Sequence, residues 1–566
     1  MSNSLRSIIF KKVVKPLTHL DNAYQNQIMT NLHVNLNKAN NMYCFTLPLK
    51  SDYYNITNEV QNIVKNDSDD TFDNIIIKDS TIYFNMQRDK YIKTIIESNQ
   101  SGVTPPLLVS KNKNIIVEFS SPNIAKPFHL GHLRSTIIGN YIANINNFLH
   151  NKVKKINYLG DWGTQFGFIY LGLEMLCDNN NLQLQNNPIE TLYRAYVTAN
   201  KLAETDSTIN ERAKEIFRQL EFGDIIISNK WETFKDYTVQ ELEKTYKRLG
   251  VIFDEYHWES MYAGKNINKI ISLMEELQLL TLDMVERKVI PLNEERNIPI
   301  IKSDGSTLYI TRDIAAAVDR FEKYKFDNMY YVVENGQTDY FSTLIQILNK
   351  MGMPWSHKLM HVKFGRVRGM STRRGTAIFL HDILNKAQEI MKKRQLIRPT
   401  TKVNFNEFDE SSDILGMSGI ILNDLKQRRM KDYTFDWNLL FNMKGDTGIK
   451  LQYTHCRLNN LKHTTGATLI TECNPSLLKE EEIDNLIILI SQFDEVILKS
   501  YKELEPCILV VYLFSLCNAV SKTFKNLRIK GESSDLGNQR LLLFHTVKII
   551  LAESMKLLGL IPLNRM

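Results

Sequence analysis

The stretch from Asn114 to Leu149 constrains the fold of this chain more than any other, because two kinds of apolar periodicity meet in it. The continuous apolar run Ile115–Val117, continued by Phe119, is of the kind that a parallel sheet buries on both faces. A polar, proline-containing turn follows, and apolar residues then recur at helical spacing from Leu133 to Leu149. The stretch therefore predicts a buried strand, a loop and a long amphipathic helix, as in doubly wound α/β domains.

Two features of this stretch indicate a ligand. Glu118 lies within the apolar run, where a carboxylate is costly unless a cation pairs with it. His129 and His132 lie where the loop enters the helix, and their spacing of three puts both rings on one face if the helix begins there. Gly131 lets a ligand approach the backbone, and helix N-termini attract anions. The two imidazoles suit a polyphosphate, although a pair of structural histidines is the alternative that so short a motif leaves open.

Composition narrows the class of protein. A chain of 566 residues is too long for one core and indicates about three domains. The net charge of +7 permits a polyanionic partner without requiring one. The six cysteines include no Cys-x-x-Cys pair, which argues against a structural zinc site and against a secreted disulfide scaffold. The longest apolar stretch, Cys507–Val520, is shorter than the roughly 20 residues of a membrane span, so it predicts a core helix and no membrane association.

The N-terminal segment has a composition of its own. No acidic residue precedes Asp21, while four basic residues are interleaved with serines and apolar residues. That composition is typical of mitochondrial targeting segments, so we predict a targeting role for about the first 15–25 residues and a location in the mitochondrial matrix. An ordinary basic first helix in a cytoplasmic protein is the alternative.

Three regions follow from the change of pattern along the chain. Residues 1–105 mix helical and strand-like runs and end in the breaker Gly102–Pro106, which predicts a small α+β domain. Strands and helices alternate over 106–400, as a doubly wound parallel sheet requires, and a charged, mostly helical insertion is predicted at about 190–300. Residues 401–566 are almost wholly helical in pattern.

Two glycine-containing segments of the second region are candidate walls of a nucleotide site. Gly160–Gly163, which reads Gly-Asp-Trp-Gly, closes a predicted strand with a tight turn. The loop around Met370–Arg374 places cations between glycines, which suits a mobile clamp on phosphates. Each segment alone is weak support, because such loops are more often plain surface.

Together these motifs resemble those of class I aminoacyl-tRNA synthetases. The sequence Ser-Ser-Pro-Asn-Ile-Ala-Lys-Pro-Phe-His-Leu-Gly-His-Leu-Arg-Ser-Thr, residues 120–136, is similar to that of arginyl-tRNA synthetases in particular. The resemblance extends from about residue 113 to the C-terminus. It implies a Rossmann-like catalytic domain between an additional α+β domain and an all-α anticodon-binding domain, and it implies the activity of an ATP-dependent arginine–tRNA ligase.

The resemblance also implies roles for individual residues. The catalytic residues that hold the ATP phosphates would be His129, His132, Lys126, Ser371, Arg373 and Arg374. ATP binding would further involve Gly131, Gly160, Asp161 and Met370. A guanidinium needs carboxylates, because it is a planar fork of donors that stays charged. The arginine substrate would be bound by Glu118, Tyr309 and Asp313 at the guanidinium and by Asn123 and Gln337 at the α-amino group. The tRNA anticodon side would be bound by Lys450, Tyr453, Phe524, Arg528 and Met566.

Two departures from the family pattern matter. Where class I enzymes often carry Lys-Met-Ser-Lys-Ser, residues 369–373 read Gly-Met-Ser-Thr-Arg, and Lys126 stands where a lysine replaces the missing charge in arginyl enzymes. In the C-terminal region Tyr453 keeps the family aromatic, whereas Lys450, Phe524 and Arg528 vary. RNA bases stack on tyrosine, phenylalanine or an arginine plane, so these changes are compatible with tRNA binding.

The implied substrates are L-arginine, tRNA-Arg and ATP with Mg²⁺, and we expect a monomer without a structural metal. Two other functions are compatible with parts of the sequence. A metabolite nucleotidyltransferase shares the His-x-Gly-His site but would not need a long helical C-terminal region. A catalytically inactive tRNA-binding protein would not need to keep both histidines, Glu118 and Asp313.

Overall fold

The computed structural model describes residues 5–17, 32–37, 42–48, 59, 62, 72–78, 81–106, 112–124, 128–176, 187–368, 379–398, 401, 403, 408–442 and 445–566. Five of the residues assigned to ATP lie outside these described residues, namely Lys126, Met370, Ser371, Arg373 and Arg374.

The N-terminal region is an antiparallel sheet with a helix packed on it. Its strands are β1 (His33–Asn37), β2 (Met42–Pro48), β3 (Asn74–Lys78) and β4 (Thr81–Gln87), in the spatial order β1-β2-β4-β3. Its helices are α1 (Leu5–Ile9), which continues into a π-helical turn at Phe10–Val14, and α2 (Arg88–Asn99). Alternate residues of β4 are buried, so one face of this sheet meets α2.

The basic N-terminal segment is part of this packing. Leu5, Ile9, Val13 and Leu17 recur every four residues and all four are buried. Arg6 is buried as well; its guanidinium donates to the Leu32 carbonyl at 2.6 Å and lies 3.8 Å from Glu495 in the C-terminal region. The segment therefore packs as the first helix of a folded domain.

A five-stranded parallel sheet forms the centre of the second region. It contains β5 (Asn114–Glu118), β6 (Lys152–Leu159) and β7 (Glu255–Trp258). A separate antiparallel sheet follows, made of β8 (Thr281–Leu282), β9 (Lys288–Pro291) and β10 (Asn297–Ile301). Strands β11 (Asn328–Glu334) and β12 (Leu359–Phe364) complete the parallel sheet, whose order is β12-β11-β5-β6-β7. The doubly wound prediction is confirmed, because the strand order reverses at β5.

The predicted insertion is wrong in one respect. We expected one charged, mostly helical insertion over about 190–300, but β7 lies within that span and pairs with β6 in parallel. Backbone pairing to the exposed edge of β6 extends the main sheet there, so the inserted elements fall on both sides of β7 in the chain.

Nine helices of this region are described. They are α3 (Leu130–Phe148), α4 (Gln165–Met175), α5 (Pro188–Ala203), α6 (Ser207–Glu221), α7 (Ile225–Arg248), α8 (Lys265–Glu276), α9 (Tyr309–Tyr324), α10 (Thr338–Lys350) and α11 (Leu380–Ile397). Helix α3 is the long helix that the periodicity predicts. It packs so closely on the sheet that a Cβ at Gly139 would lie 2.2 Å from the Phe119 ring.

The C-terminal region is helical. Its helices are α12 (Phe408–Leu425), α13 (Trp437–Leu440), α14 (Gly448–Thr464), α15 (Glu481–Ser491), α16 (Phe493–Glu503), α17 (Pro506–Asn526) and α18 (Ser534–Leu557). The short strand β14 (Tyr433–Thr434), between α12 and α13, pairs in parallel with β13 (Val367–Arg368). Among the described helices, α17 alone is long and apolar enough to cross a membrane, yet it buries Leu509, Leu513 and Leu516 against neighbouring helices.

Candidate active site

The predicted site residues gather at the carboxyl ends of the central strands. Glu118 ends β5, Gly160 follows β6, and Gln337 lies in the 3₁₀ turn Asn335–Gln337 after β11. His129 caps the helix that follows β5. Ligands of doubly wound sheets bind in the crevice at this edge, where the strand order reverses.

The turn that leaves β5 is held by hydrogen bonds from the neighbouring elements. Ser120 and Ser121 have positive φ angles of 74° and 48°, which non-glycine residues rarely adopt. Their backbone N–H groups donate to the Ser135 hydroxyl at 2.9 Å and to the Asn157 amide oxygen at 3.0 Å. Helix α3 and strand β6 thus fix the path of the chain toward the histidines.

Asn123 and Gly160 are in direct contact. They form a parallel bridge, and a Cβ at Gly160 would lie 2.2 Å from the Asn123 side-chain oxygen. Only glycine fits at position 160 unless Asn123 moves. The structure thus brings a residue assigned to ATP against one assigned to the α-amino group.

His129 and His132 form the N-terminal cap of α3. The Nδ1 atom of His129 accepts from the Gly131 N–H at 3.0 Å, and Nδ1 of His132 accepts from the His129 N–H at 3.3 Å. An imidazole that accepts at Nδ1 carries its proton on Nε2 when neutral, so both rings have an N–H donor there. The ring centroids are 4.2 Å apart, which confirms the predicted common face. Two donors at a helix N-terminus suit a phosphate.

The loop that contains the Met370–Arg374 core is anchored beside the histidines at both ends. At its start, β13 contacts α3, and Arg368 pairs with Asp432 at 2.8 Å. At its end, the Leu380 N–H donates to the Phe128 carbonyl at 2.7 Å. Phe128 immediately precedes His129, so the chain returns to the start of the histidine motif.

A carboxylate cluster lies beside this crevice and consists of Glu118, Glu259 and Asp313. Glu118 and Glu259 are buried and Asp313 is half-buried. The cation that Glu118 was expected to need is Arg320, whose guanidinium pairs with it and lies 4.8 Å from the centre of the Tyr158 ring.

The other two carboxylates differ in their partners. Glu259 pairs with Arg312 at 2.9 Å. Asp313 accepts a hydrogen bond from the Tyr340 hydroxyl, and it is the one member of the carboxylate cluster that no lysine or arginine pairs with in the described part of the chain. Three carboxylates therefore share two guanidinium groups, and the carboxylate cluster carries one excess negative charge when all three are ionised.

Burial shapes the protonation of the carboxylate cluster. Loss of solvation raises the pKa of Glu259 to about 7, although Arg312 opposes the rise. Loss of solvation also raises the pKa of Glu118 and that of Asp313, and the mutual repulsion between Glu118 and Asp313 raises the pKa of Glu118 further. A cation that enters the carboxylate cluster therefore favours the ionised forms.

Sequence reasoning missed four residues of this site, namely Glu259, Arg312, Arg320 and Tyr340. Arg320 follows Asp313 by seven residues, which is two helical turns, so helical periodicity on α9 could have found it. Glu259 begins the 3₁₀ turn Glu259–Tyr262 after β7 and carries no local signal.

Two other predicted site residues, Tyr309 and Asp161, lie outside the carboxylate cluster. Helix α9 begins at Tyr309, which is 57% exposed and has the Arg312 guanidinium 4.9 Å from its ring centre. Asp161 is buried and accepts from the Ser260 N–H at 2.9 Å and from the Ser260 hydroxyl at 2.7 Å. Asp161 thus holds the turn that carries Glu259, and its contact with ATP stays a prediction.

The residues assigned to tRNA lie apart from this crevice. Tyr453, 45% exposed, and Met566 line one cleft of about 430 Å³. The Phe524 ring stacks on Phe544 at 4.7 Å between ring centres and has the Arg457 guanidinium 4.1 Å from its own centre. The Lys450 ammonium donates to Asn518 at 2.8 Å, and Arg528 is exposed. The structure thus brings Tyr453 and Met566 together, while Phe524 is already packed.

Comparison with known proteins agrees with this geometry. Residues 94–437 match the model of the catalytic domain of class I tRNA synthetases (R). Residues 451–566 match the DALR anticodon-binding domain.

Relatives and solved structures agree as well. The human protein named probable mitochondrial arginine–tRNA ligase is 40% identical over 496 residues, which cover 86% of this chain and 85% of that protein. The cytoplasmic arginine–tRNA ligase of Saccharomyces cerevisiae is 38% identical over 469 residues, which cover 81% and 77%. The arginyl-tRNA synthetase of Thermus thermophilus shares the fold with a TM-score of 0.79 at 17% identity, covering 99% of this chain and 100% of that one. On the match to the catalytic-domain model and the identity to these relatives, the chain belongs to the class I arginyl-tRNA synthetase family.

Proposed function

We propose that this arginyl-tRNA synthetase selects its amino acid through the carboxylate cluster, with Asp313 as the carboxylate that receives the substrate guanidinium. The observation that carries the proposal is that Asp313, alone in the carboxylate cluster, pairs with no lysine or arginine in the described part of the chain. Glu118 and Glu259 each have an arginine partner, whereas Asp313 has the neutral Tyr340. Charge-assisted hydrogen bonds to a carboxylate are the strongest match to a guanidinium fork.

The enzyme is an ATP-dependent ligase that joins arginine to tRNA. In the first step an arginine carboxylate oxygen attacks the α-phosphorus of ATP, and pyrophosphate leaves to give arginyl-adenylate. In the second step a ribose hydroxyl at the tRNA 3′ end attacks the activated carbonyl, and AMP leaves. Both steps depend on positioning and charge neutralisation more than on covalent catalysis.

The residues around the histidine motif would stabilise the phosphates. The Nε2–H groups of His129 and His132 donate to phosphate oxygens, and Gly131 lets the phosphates approach the helix N-terminus. Lys126, Ser371, Arg373 and Arg374 supply charge and donors from the two adjoining loops, with Met370 in the same loop. Mg²⁺ enters with ATP, because phosphate oxygens are ligands that this ion prefers.

The reacting end of arginine would lie between the strand ends. Asn123 follows β5 and Gln337 follows β11, so both flank the crevice and are suited to hold the α-amino group. Tyr309 stands exposed at the start of α9, beside the carboxylate cluster. Glu118 is already paired with Arg320, so its contact with the substrate guanidinium stays a prediction.

Anticodon recognition would fall to the cleft of the C-terminal region. Tyr453 offers a half-exposed ring on which a base can stack, and Met566 closes the same cleft. Phe524 supports Arg457, which lines the cleft, by its stacking, and Lys450 and Arg528 remain assigned to the tRNA as predictions.

The experiment is aminoacylation by the purified chain with ATP, tRNA and either arginine, citrulline or lysine. Citrulline keeps the planar shape without the charge, and lysine keeps the charge without the fork. We expect charging with arginine alone. Equal charging with citrulline would refute selection by the carboxylate cluster, and ATP turnover onto a metabolite without tRNA would favour a nucleotidyltransferase.

The compartment is a separate part of the proposal. On the composition of the N-terminal segment, we propose that the enzyme acts in the mitochondrial matrix. Action in the cytoplasm is the alternative, because relatives are named for both compartments. We also propose that the enzyme is a monomer. The burial of Leu5, Ile9 and Val13 favours retention of the segment after import. Fusion of residues 1–30 to a fluorescent protein tests the mitochondrial targeting role, and a diffuse cytosolic signal would refute it. Sedimentation of the purified chain tests the monomer.

A further inference from the structure

We infer that Arg134 is a positioning residue for the ATP step, because one buried guanidinium joins the histidine motif to the base of the loop that contains Met370–Arg374. The inference rests on the phosphate-binding roles proposed for that motif and that loop. Arg134 itself touches no reacting atom.

Arg134 lies two residues after His132, and its side chain is 1% exposed. One guanidinium nitrogen, Nη1, donates to the Gly365 carbonyl at 2.6 Å and to the Lys431 carbonyl at 2.9 Å. Nη2 donates to the Arg428 carbonyl at 3.4 Å. Gly365 precedes β13, and the other two acceptors lie between α12 and β14.

An ion pair completes the junction. Nε of Arg134 lies 3.3 Å from Asp424, which is buried near the end of α12. Asp424 also accepts from the Tyr433 hydroxyl at 2.8 Å, and the Arg134 guanidinium lies 5.2 Å from the centre of the Tyr433 ring. Tyr433 pairs with Val367 in the two-stranded sheet of β13 and β14, and the loop follows β13 in the chain.

The junction leaves little room for the loop base to shift. A Cβ at Gly365 would lie 2.7 Å from both the Asp432 carboxylate and the Met430 carbonyl, so the backbone there is in close contact with the segment that Arg134 binds. The planar fork of arginine serves several acceptors in fixed directions, which a flexible ammonium cannot do. Arg134 therefore holds helix α3 and the loop base in one fixed arrangement.

That connection matters because two separate elements, the histidine motif and the loop that contains Met370–Arg374, are proposed to bind the ATP phosphates. The proposed function assigns them to the histidines at the start of α3 and to the cations of the loop whose base Arg134 binds. A misplacement of about 1 Å at a reacting centre can cost about 100-fold in rate. Loss of Arg134 would allow helix α3 and the loop base to move apart, while the carboxylate cluster would stay in place.

Arg88 provides a matched control. It is also buried, pairs with Asp484 at 2.8 Å and donates to the Leu478 carbonyl at 2.7 Å. It joins α2 to the C-terminal region, and no proposed ATP residue lies on either element. Arg88→Met should therefore match Arg134→Met in lost stability but not in ATP kinetics.

The experiment compares Arg134→Met, Arg134→Lys and Arg88→Met in the full chain. The readouts are kcat and the KM for ATP and for arginine in aminoacylation, arginine affinity by calorimetry, and thermal unfolding. We expect Arg134→Met to lose about 100-fold in kcat and to raise the KM for ATP, with unchanged arginine affinity. Arg134→Lys should recover part of kcat, and Arg88→Met should keep the ATP kinetics of the parent.

Two outcomes would overturn the inference. One is a folded Arg134→Met with parental ATP kinetics, and the other is an equal ATP defect in Arg88→Met. If Arg134→Met does not fold, Arg134→Lys decides, since parental ATP kinetics in that variant would refute the need for a fork. Failure of the proposed function is distinguishable, because the parent chain itself would then not charge tRNA with arginine.

Discussion

Asp313→Asn tests the carboxylate cluster most directly. Asparagine keeps the size of the side chain and one oxygen, so the hydrogen bond from Tyr340 can persist. The substitution removes the negative charge and replaces one accepting oxygen with an NH₂ group. That NH₂ group is a hydrogen-bond donor and cannot accept from the N–H groups of the substrate guanidinium. Because Glu118 and Glu259 are each paired with an arginine, neither carboxylate is available to replace the lost charge.

The structure narrows the expected magnitude. Truncating one partner of a buried charge pair costs about 2–5 kcal/mol. Asp313 is half-buried, so we expect the lower half of that range, about 2–3.5 kcal/mol, which is a roughly 30- to 300-fold loss of arginine affinity. Citrulline carries no charge to lose, so the variant should penalise it less than arginine.

Calorimetric titration of arginine, citrulline and a non-hydrolysable ATP analogue against both proteins is the assay. ATP-analogue affinity should stay within a factor of about two, since we propose that the phosphates bind at the histidine motif and not at the carboxylate cluster. Asp319→Asn is the control, because Asp319 is an exposed carboxylate on the same helix. Unchanged arginine affinity together with reduced stability would show that Asp313 acts only as a charge near the start of α9, and the specificity argument would fail.

The sequence and the structure support four further predictions. Lys126→Ala should lower the activation rate far more than arginine affinity, because a phosphate-side charge acts as negative charge spreads in the transition state; a pure arginine-affinity defect in pre-steady-state kinetics would contradict its placement. Arginine affinity should fall as the pH drops from 8 to 6, because the pKa of Glu259 is about 7 and that of Asp313 is raised. Arginine binding should therefore release protons. Calorimetric titration in buffers of different ionisation enthalpy measures this release. These raised values also mean that the ligand-free protein should lose stability as the pH rises through them, which denaturant unfolding at pH 5.5 and 8 would show. Deleting residues 1–17 should lower the free energy of unfolding by several kcal/mol, because fully burying a leucine, isoleucine or valine contributes about 1.5–3 kcal/mol; unchanged unfolding would contradict the packing of Leu5, Ile9, Val13 and Leu17.

Local signals in the sequence were sufficient to predict the strand, the loop and the helix that position the two histidines. The period of the apolar residues specifies each element, and the spacing of three places His129 and His132 side by side once the helix begins at Leu130. The motifs were also sufficient to identify the family, because they recur in a fixed order along the chain. These inferences need only residues that are near one another in sequence.

Only the tertiary structure decided which charges meet. Arg320 pairs with Glu118 across 202 positions, and Arg134 binds carbonyl groups about 230 to 300 positions away. The return of β7 to the main sheet and the burial of the first helix depend likewise on distant partners. A basic residue has the same local pattern whether it faces water or a buried carboxylate, so periodicity cannot distinguish a targeting segment from a core helix or a surface arginine from Arg320. The folded packing removes water from particular pairs, and that desolvation determines which charges must be paired.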